Sequence, residues 1–406
     1  RSLRLCESNG RNDMVIAIRG GLVWDGTGRA PIEDGVVLVD GDRITAVGAA
    51  GEVAIPDGAE IIERTGEFIM PGLINAHTHI TIIPGLGNQS GQKRRPIERQ
   101  ALRGARNMRR ELRAGVTTAR IMGEENWIDV TFRQEIEAGE IPGPRMVVST
   151  RALTPSNGHG RAVSAFDGVD EVRKGARENL IAGADFLKMF LTGGVSSTRG
   201  SMTAASYSRE EVRVAVEEAE RAGTYVAAHC VRGYGIRLAA EEGVRTIEHA
   251  SMATDDDLAL IKEKDAWVVL TQAILLHPTG IEQGDKDNPA VMARLRDARA
   301  QAEERLRAIV ASGVRIAVGT DSMHGLLWYE AARLVDWGAS NEQALQAATI
   351  RAAECCRVEE TVGTLEPGKY ADIISVAGNP LQEIGALERV GLVMKGGRRF
   401  DQISAE

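Results

Sequence analysis

The chain has 406 residues, 43% of them hydrophobic, enough for one large core with a smaller domain beside it. Its formal net charge of −8, with acids and bases interspersed, argues against a nucleic-acid-binding surface, and no apolar run reaches the ~18 residues of a membrane span. The four cysteines, Cys6, Cys230, Cys355 and Cys356, have neither metal nor disulfide spacing and point to a reduced, cytoplasmic setting.

Residues 1–13 are polar, carry no apolar h-region and read as a disordered or upstream tail, with Met14 opening the first strand-like run. From there to residue 70 the pattern is short strands with Gly/Asp turns. Val36-Val37-Leu38-Val39 followed by Asp40-Gly41-Asp42-Arg43 is a hairpin signal. The next run, Pro71-Gly72-Leu73-Ile74-Asn75-Ala76-His77-Thr78-His79, ends in two histidines one residue apart. On a strand these share a face, and two adjacent imidazoles suit a divalent metal.

Beyond His79, charged amphipathic stretches alternate with short apolar runs. Gly115, Gly183, Gly223, Gly243 and Gly313 stand at the joints, where glycine ends a helix in the left-handed conformation. Ser208-x-x-Glu211 reads as a capping box. The predicted strands are Leu73–Asn75, Val116–Ile121, Arg145–Ser149, Phe186–Leu191, Tyr225–Ala228, Thr246–Glu248, Trp267–Leu270 and Arg315–Gly319. This alternation predicts an α/β fold, a (β/α)8 TIM barrel over residues 71–362. An open doubly wound sheet is the rival, but no Gly-x-Gly-x-x-Gly turn follows an early strand. Strand character returns in Ile373–Val376 and Val390–Met394, so residues 14–70 and 363–406 are expected to pair into a small β-sandwich domain.

In such a barrel the reactive groups sit at the C-terminal strand ends. His77 and His79 follow the first strand, Lys188 ends the fourth, His229 follows the fifth, His249 the sixth and Asp321 the eighth. These six therefore converge, and five of them are the usual nitrogen and oxygen ligands of zinc-like metals.

With these motifs, and with Phe186-Leu187-Lys188, Ala228-His229, Ile247-Glu248-His249, Gly319-Thr320-Asp321 and the tail Gly363-x5-Lys369-x-Ala371-Asp372, the chain resembles the amidohydrolase superfamily from about residue 14 to 400. The resemblance implies two divalent ions, zinc being the expected metal, and a carbamate formed from CO2 on Lys188. On that pattern His77, His79 and Asp321 hold the first ion and His229 and His249 the second. The carbamate and a hydroxide bridge them, and Asp321 carries the proton from the attacking hydroxide to the departing nitrogen. The alternative is a mononuclear site with Lys188 paired to a carboxylate.

The Lys188 segment with Thr192-Gly193-Gly194-Val195, together with Glu248-His249, resembles the prolidase and arginine-carboxypeptidase branch related to imidazolonepropionase. That likeness implies a catalytic role for His159 at the substrate carbonyl. One departure is His229-Cys230-Val231, where such peptidases tend to read His-Ala-Tyr. The expected reaction is hydrolysis of an amide C–N bond in a dipeptide or N-acyl amino acid, with another amide, anilide, urea or cyclic amide as the alternative. A deaminase and a non-catalytic scaffold rank below these. Arg161, Arg199 and Arg232 are candidates to clamp a substrate carboxylate, and His324 to line the pocket. His277 reads as structural or solvated, and Glu124-Glu125 and Glu217-Glu218 as surface charge. The expected partners are a small-molecule amide and further copies of the chain, with neither nucleic acid nor membrane.

Overall fold

A computed structural model describes residues 14–197 and 199–402; the predicted tail 1–13 and Cys6 lie outside the described residues. The N-terminal segment supplies β1 (Ile16–Val23), β2 (Ile32–Asp40), β3 (Arg43–Ala49), β4 (Glu60–Glu63) and β5 (Glu67–Pro71). The Asp40-Gly41-Asp42-Arg43 turn joins β2 to β3 as a hairpin, with Asp40 opposite Arg43.

The central segment supplies eight strands: β6 (Leu73–Thr78), β7 (Val116–Ile121), β8 (Arg145–Val148), β9 (Leu187–Phe190), β10 (Val226–Cys230), β11 (Thr246–His249), β12 (Trp267–Leu270) and β13 (Arg315–Val318). Each falls on one of the predicted runs. The strands β6, β10 and β11 run further than expected, so His77, His229 and His249 lie within strands rather than after them, and Lys188 is the second residue of β9 rather than its end. Parallel pairing explains the extension, because His229 and Cys230 stand opposite Glu248 and His249. The C-terminal segment adds β14 (Ile373–Ala377), β15 (Val390–Lys395) and β16 (Arg398–Arg399).

The two terminal segments form one eight-stranded sheet in the order β16-β15-β14-β5-β1-β2-β3, with β4 against β1. The seam is antiparallel, from Ile373 opposite Pro71 to Ala377 opposite Glu67. Ile16, Ile18, Val37, Val39, Ile69 and Ile373 pack there as a core of their own.

The central strands are all parallel and form two sheets, β6-β7-β8 and β9-β10-β11-β12-β13. Most of the connections are helical, and the five joint glycines all have φ between 72° and 103°. The capping box is present: Ser208 Oγ accepts from Glu211 N at 3.3 Å, and Glu211 returns a carboxylate oxygen to Ser208 N at 2.7 Å. On β10, Val226, Ala228 and Cys230 join the main core, which leaves Ala227 and His229 on the opposite face.

Hydrogen bonds join the two sheets on both sides. Leu153 N donates to Lys188 O at 2.7 Å and Phe190 N to Leu153 O at 3.0 Å. On the other side Thr320 N and Asp321 N both donate to His77 O, each at 2.9 Å. The first and last central strands approach so closely there that only glycine fits at 319. A Cβ on Gly319 would lie 2.4 Å from His77 N and 2.5 Å from His77 Cβ. Gly319→Ala is therefore expected to push β6 from β13 and lower stability by about 1–3 kcal/mol, read by urea unfolding. A wild-type midpoint would contradict this seam.

Candidate active site

The site begins at the junction of β6 and β13. His77 Nδ1 lies 2.7 Å from Glu248 Oε2, and His79 Nδ1 lies 3.0 Å from the Gly123 carbonyl. Both partners only accept, so each Nδ1 carries the proton and each Nε2 presents a lone pair. Burial, and then the charge of Lys93, lower His79 to about 4 and keep it neutral. Both Nε2 atoms stand 3.5 Å from Asp321 Oδ1. Three electron-pair donors facing one another repel unless a cation lies between them, and all three fall within 4.8 Å of one another. The donor set fits a divalent metal.

The remaining groups of the constellation face the same space. The His229 and His249 ring centroids are 4.5 Å apart, and His249 is 4.8 Å from His77. His249 Nδ1 is 2.6 Å from Thr271 Oγ1, and His229 Nε2 is 3.4 Å from the Gly193 carbonyl, so each ring keeps its other nitrogen for a ligand. Burial holds both imidazoles well below their ordinary range. His249 and Asp321 have positive φ of 74° and 47°, turning the chain sharply where it leaves each strand. Lys188 is fully buried, and its Nζ has no hydrogen-bond partner among the described residues. Burial lowers this amine to about 8, against the opposing charges of Glu248 and Asp321. An orphaned buried amine is expensive, and conversion to an anionic metal ligand would relieve it.

His77, His79, His159, His229, His249 and Asp321 line one cavity of about 50 Å³, together with Gln89 and Ser90 of the short helix α1 (Gln89–Gln92) and with Lys93, Phe190 and Ser196. The His159 ring lies 4.6 Å from His229, and its Nδ1 has no partner among the described residues. Gly194 makes room for it, since a Cβ there would meet His159 Nε2 at 2.3 Å.

Arg161, Arg199, Arg232 and His324 are not among the residues that line this cavity. Arg199 is exposed, and Arg232 lies 3.8 Å from Asp297. His324 is buried against Glu111 at 2.9 Å and the Ile82 carbonyl at 3.2 Å, facing a separate cleft of about 580 Å³ beside helix α2 (Ile97–Arg113). His277 packs on Tyr329 with ring centroids 5.2 Å apart.

The acidic pairs require a correction. Glu124, Glu125 and Glu218 are buried, not surface charge. Glu124 accepts from Ile80 N at 2.6 Å and from Thr81 N and Oγ1 at 3.2 and 2.8 Å, which pins the chain just after His79. Glu125 accepts from Val163 N, Ser164 N and Ser164 Oγ at 2.8–3.0 Å. Glu218 gathers Arg173, Arg177 and Arg221; only Glu217 is more open, 3.4 Å from Arg221.

Two further residues support the site from inside. Arg120, fully buried, donates to Glu248 Oε1 at 2.8 Å, Ala76 O at 2.6 Å and Thr246 Oγ1 at 3.1 Å. Burial alone would raise Glu248, yet Arg120 and then His77 hold it well below the carboxylate range. Glu248→Gln leaves Arg120 without its counter-charge and is expected to cost about 3–5 kcal/mol of stability by urea unfolding. A loss under 1 kcal/mol, on the order of a surface pair, would contradict the pairing.

Known proteins resemble this chain over most of its length. The amidohydrolase family pattern matches residues 68–400. Ochratoxinase from Aspergillus niger is 29% identical over 427 aligned positions, covering 95% of this chain and 86% of the relative. A prolidase structure in complex with N-methylphosphonate-L-proline superposes with a TM-score of 0.87 at 29% identity, over 95% of this chain and 99% of that one. A Xaa-Pro dipeptidase structure with methionine bound in its active site gives 0.85 at 27%, over the same 95% and 99%. By this family match and these relatives, the chain belongs to the amidohydrolase family and is a hydrolase of carbon–nitrogen bonds.

Proposed function

We infer that this hydrolase cleaves the amide bond of a dipeptide or N-acyl amino acid, using two divalent ions, most simply zinc. The observation that carries the metal reading is the ring of lone-pair donors: His77, His79 and Asp321 face one another, His229 and His249 stand beside them, and the orphaned Lys188 amine completes the set. His77, His79 and Asp321 would hold one ion and His229 and His249 the other, with Lys188, as its CO2-derived carbamate, between them. In carbamate formation the Nζ lone pair adds to the CO2 carbon and the amine loses a proton. When bound, such ions activate water and polarise a carbonyl. The reading also takes the eight parallel strands as one (β/α)8 barrel over residues 71–362, flanked by a domain built from 14–70 and 363–406; the hydrogen-bonded seams on both sides support it.

The protein's own groups divide the remaining work. Asp321 takes the proton of the attacking water and delivers it to the departing nitrogen. Burial lowers His159 to about 4, so it acts as a neutral imidazole, and its unpartnered nitrogen is available to the substrate carbonyl oxygen. The choice of an amino-acid leaving group is supported by the proline phosphonate and the methionine held by the two structural relatives. A second reading, an aryl amide or urea, is favoured by Val231, which leaves the strand-end position without a tyrosine hydroxyl.

The test is a panel of dipeptides, N-acyl amino acids, aryl amides and ureas with zinc-loaded, bicarbonate-treated protein. Turnover should vanish on chelation and return with metal. Asp321→Asn should fold and lose about 10²- to 10⁴-fold in kcat. Full activity of that variant, or turnover that survives chelation, would sink the assignment.

A further inference from the structure

The cavity wall carries two hydrogen-bond donors that the chemistry above does not use. Lys93 is the only cationic side chain among the described residues lining the cavity. It is buried, and its Nζ donates to the Gly123 carbonyl and lies 3.2 Å from His79 Nδ1. The imidazole nitrogen is itself a donor to that carbonyl, so it cannot accept from the ammonium. The nearest carboxylate oxygen, on Glu124, stands 3.9 Å away, and both oxygens of that group already accept from Ile80 and Thr81. An ammonium has three donors, and one carbonyl takes only one of them.

Gln89 lies four residues earlier, at the start of α1, so both side chains reach the same wall. Its Nε2 is buried with no partner among the described residues. A buried amide donor without an acceptor is costly and marks a place where something else binds. An under-compensated ammonium and an unused amide N–H on the lining of one cavity suit a carboxylate.

Position says which carboxylate. Gln89 and Lys93 line the same cavity as Asp321, the proton-carrying group. The departing nitrogen must meet Asp321. In an amino-acid leaving group the carboxylate is separated from that nitrogen only by Cα. We propose that Gln89 and Lys93 anchor the α-carboxylate of the departing amino acid, which makes the substrate one with a free C-terminal carboxylate. The inference rests on the amide-hydrolase reading above and assigns the residues that hold the carboxylate of its leaving group.

The experiment compares N-benzoyl-L-amino acids with the same compounds as C-terminal carboxamides, in wild type, Lys93→Met, Lys93→Arg and Gln89→Leu. Metal content and melting temperature serve as controls. Wild type should favour the acids by about 10- to 100-fold in kcat/KM, as expected for a charged hydrogen-bonded pair. The ratio should collapse towards unity in Lys93→Met, chiefly through KM for the acids, narrow in Gln89→Leu and partly persist in Lys93→Arg. Independently of turnover, free L-amino acids should raise the melting temperature of the wild-type holoprotein while their carboxamides do not, and Lys93→Met should lose that response. Equal cleavage of acids and carboxamides by wild type would overturn the anchor and leave amide hydrolysis standing. Stabilisation by free amino acids through Lys93 without cleavage of any compound would instead refute the hydrolase reading and keep the carboxylate site.

Discussion

One buried carboxylate sets the site. Glu248, on β11, reaches His77 on β6 with one oxygen and Arg120 on β7 with the other. Arg120 in turn holds the Ala76 carbonyl, one residue from His77. Three separate strands are thus tied through a single charge network with no access to water. Taking both ions out of water costs several kcal/mol, so the network does not recommend itself as a source of stability. Its value is geometric. It fixes which His77 nitrogen bears the proton and which faces the cavity.

The same device recurs around the ring. The Gly123 carbonyl orients His79, Thr271 orients His249 and the Gly193 carbonyl orients His229. Each donor is locked from behind by a group on a different strand end or loop, which is what a metal centre needs if its ligands are to stay within a few tenths of an ångström of place. The contact of His77 O with Thr320 N and Asp321 N does the same for the backbone, bringing the first and last central strands together. The open chemistry then falls to the buried polar atoms that have no hydrogen-bond partner among the described residues: Lys188 Nζ, His159 Nδ1 and Gln89 Nε2.

Much of this was legible in the sequence, because it is written locally. Strand runs, joint glycines and the Ser208 capping box depend on near neighbours, and all recur in the structure. His77, His79, His229, His249 and Asp321, which line one cavity, could be read together because strand order sends them to one end of the sheets. The supporting charges could not. Arg120 and Glu248 sit in apolar strands 128 positions apart, and their pairing exists only after folding. Glu124-Glu125 looks like solvated charge because adjacent acids usually are. Its partners, Ile80, Thr81, Val163 and Ser164, are backbone donors on distant loops. Gln89 and Lys93 open and cap a four-residue polar helix too short for any periodicity to announce its place on the cavity wall.

The central claim is that the donors form a two-ion centre in which Lys188 is a ligand. It is tested most directly by measuring zinc per chain, by elemental mass spectrometry, in protein reconstituted with zinc and bicarbonate, for wild type and Lys188→Ala. The account predicts two ions per wild-type chain and a loss of at least one in the variant. A single ion in both would contradict it and leave Lys188 as a buried amine outside the metal site.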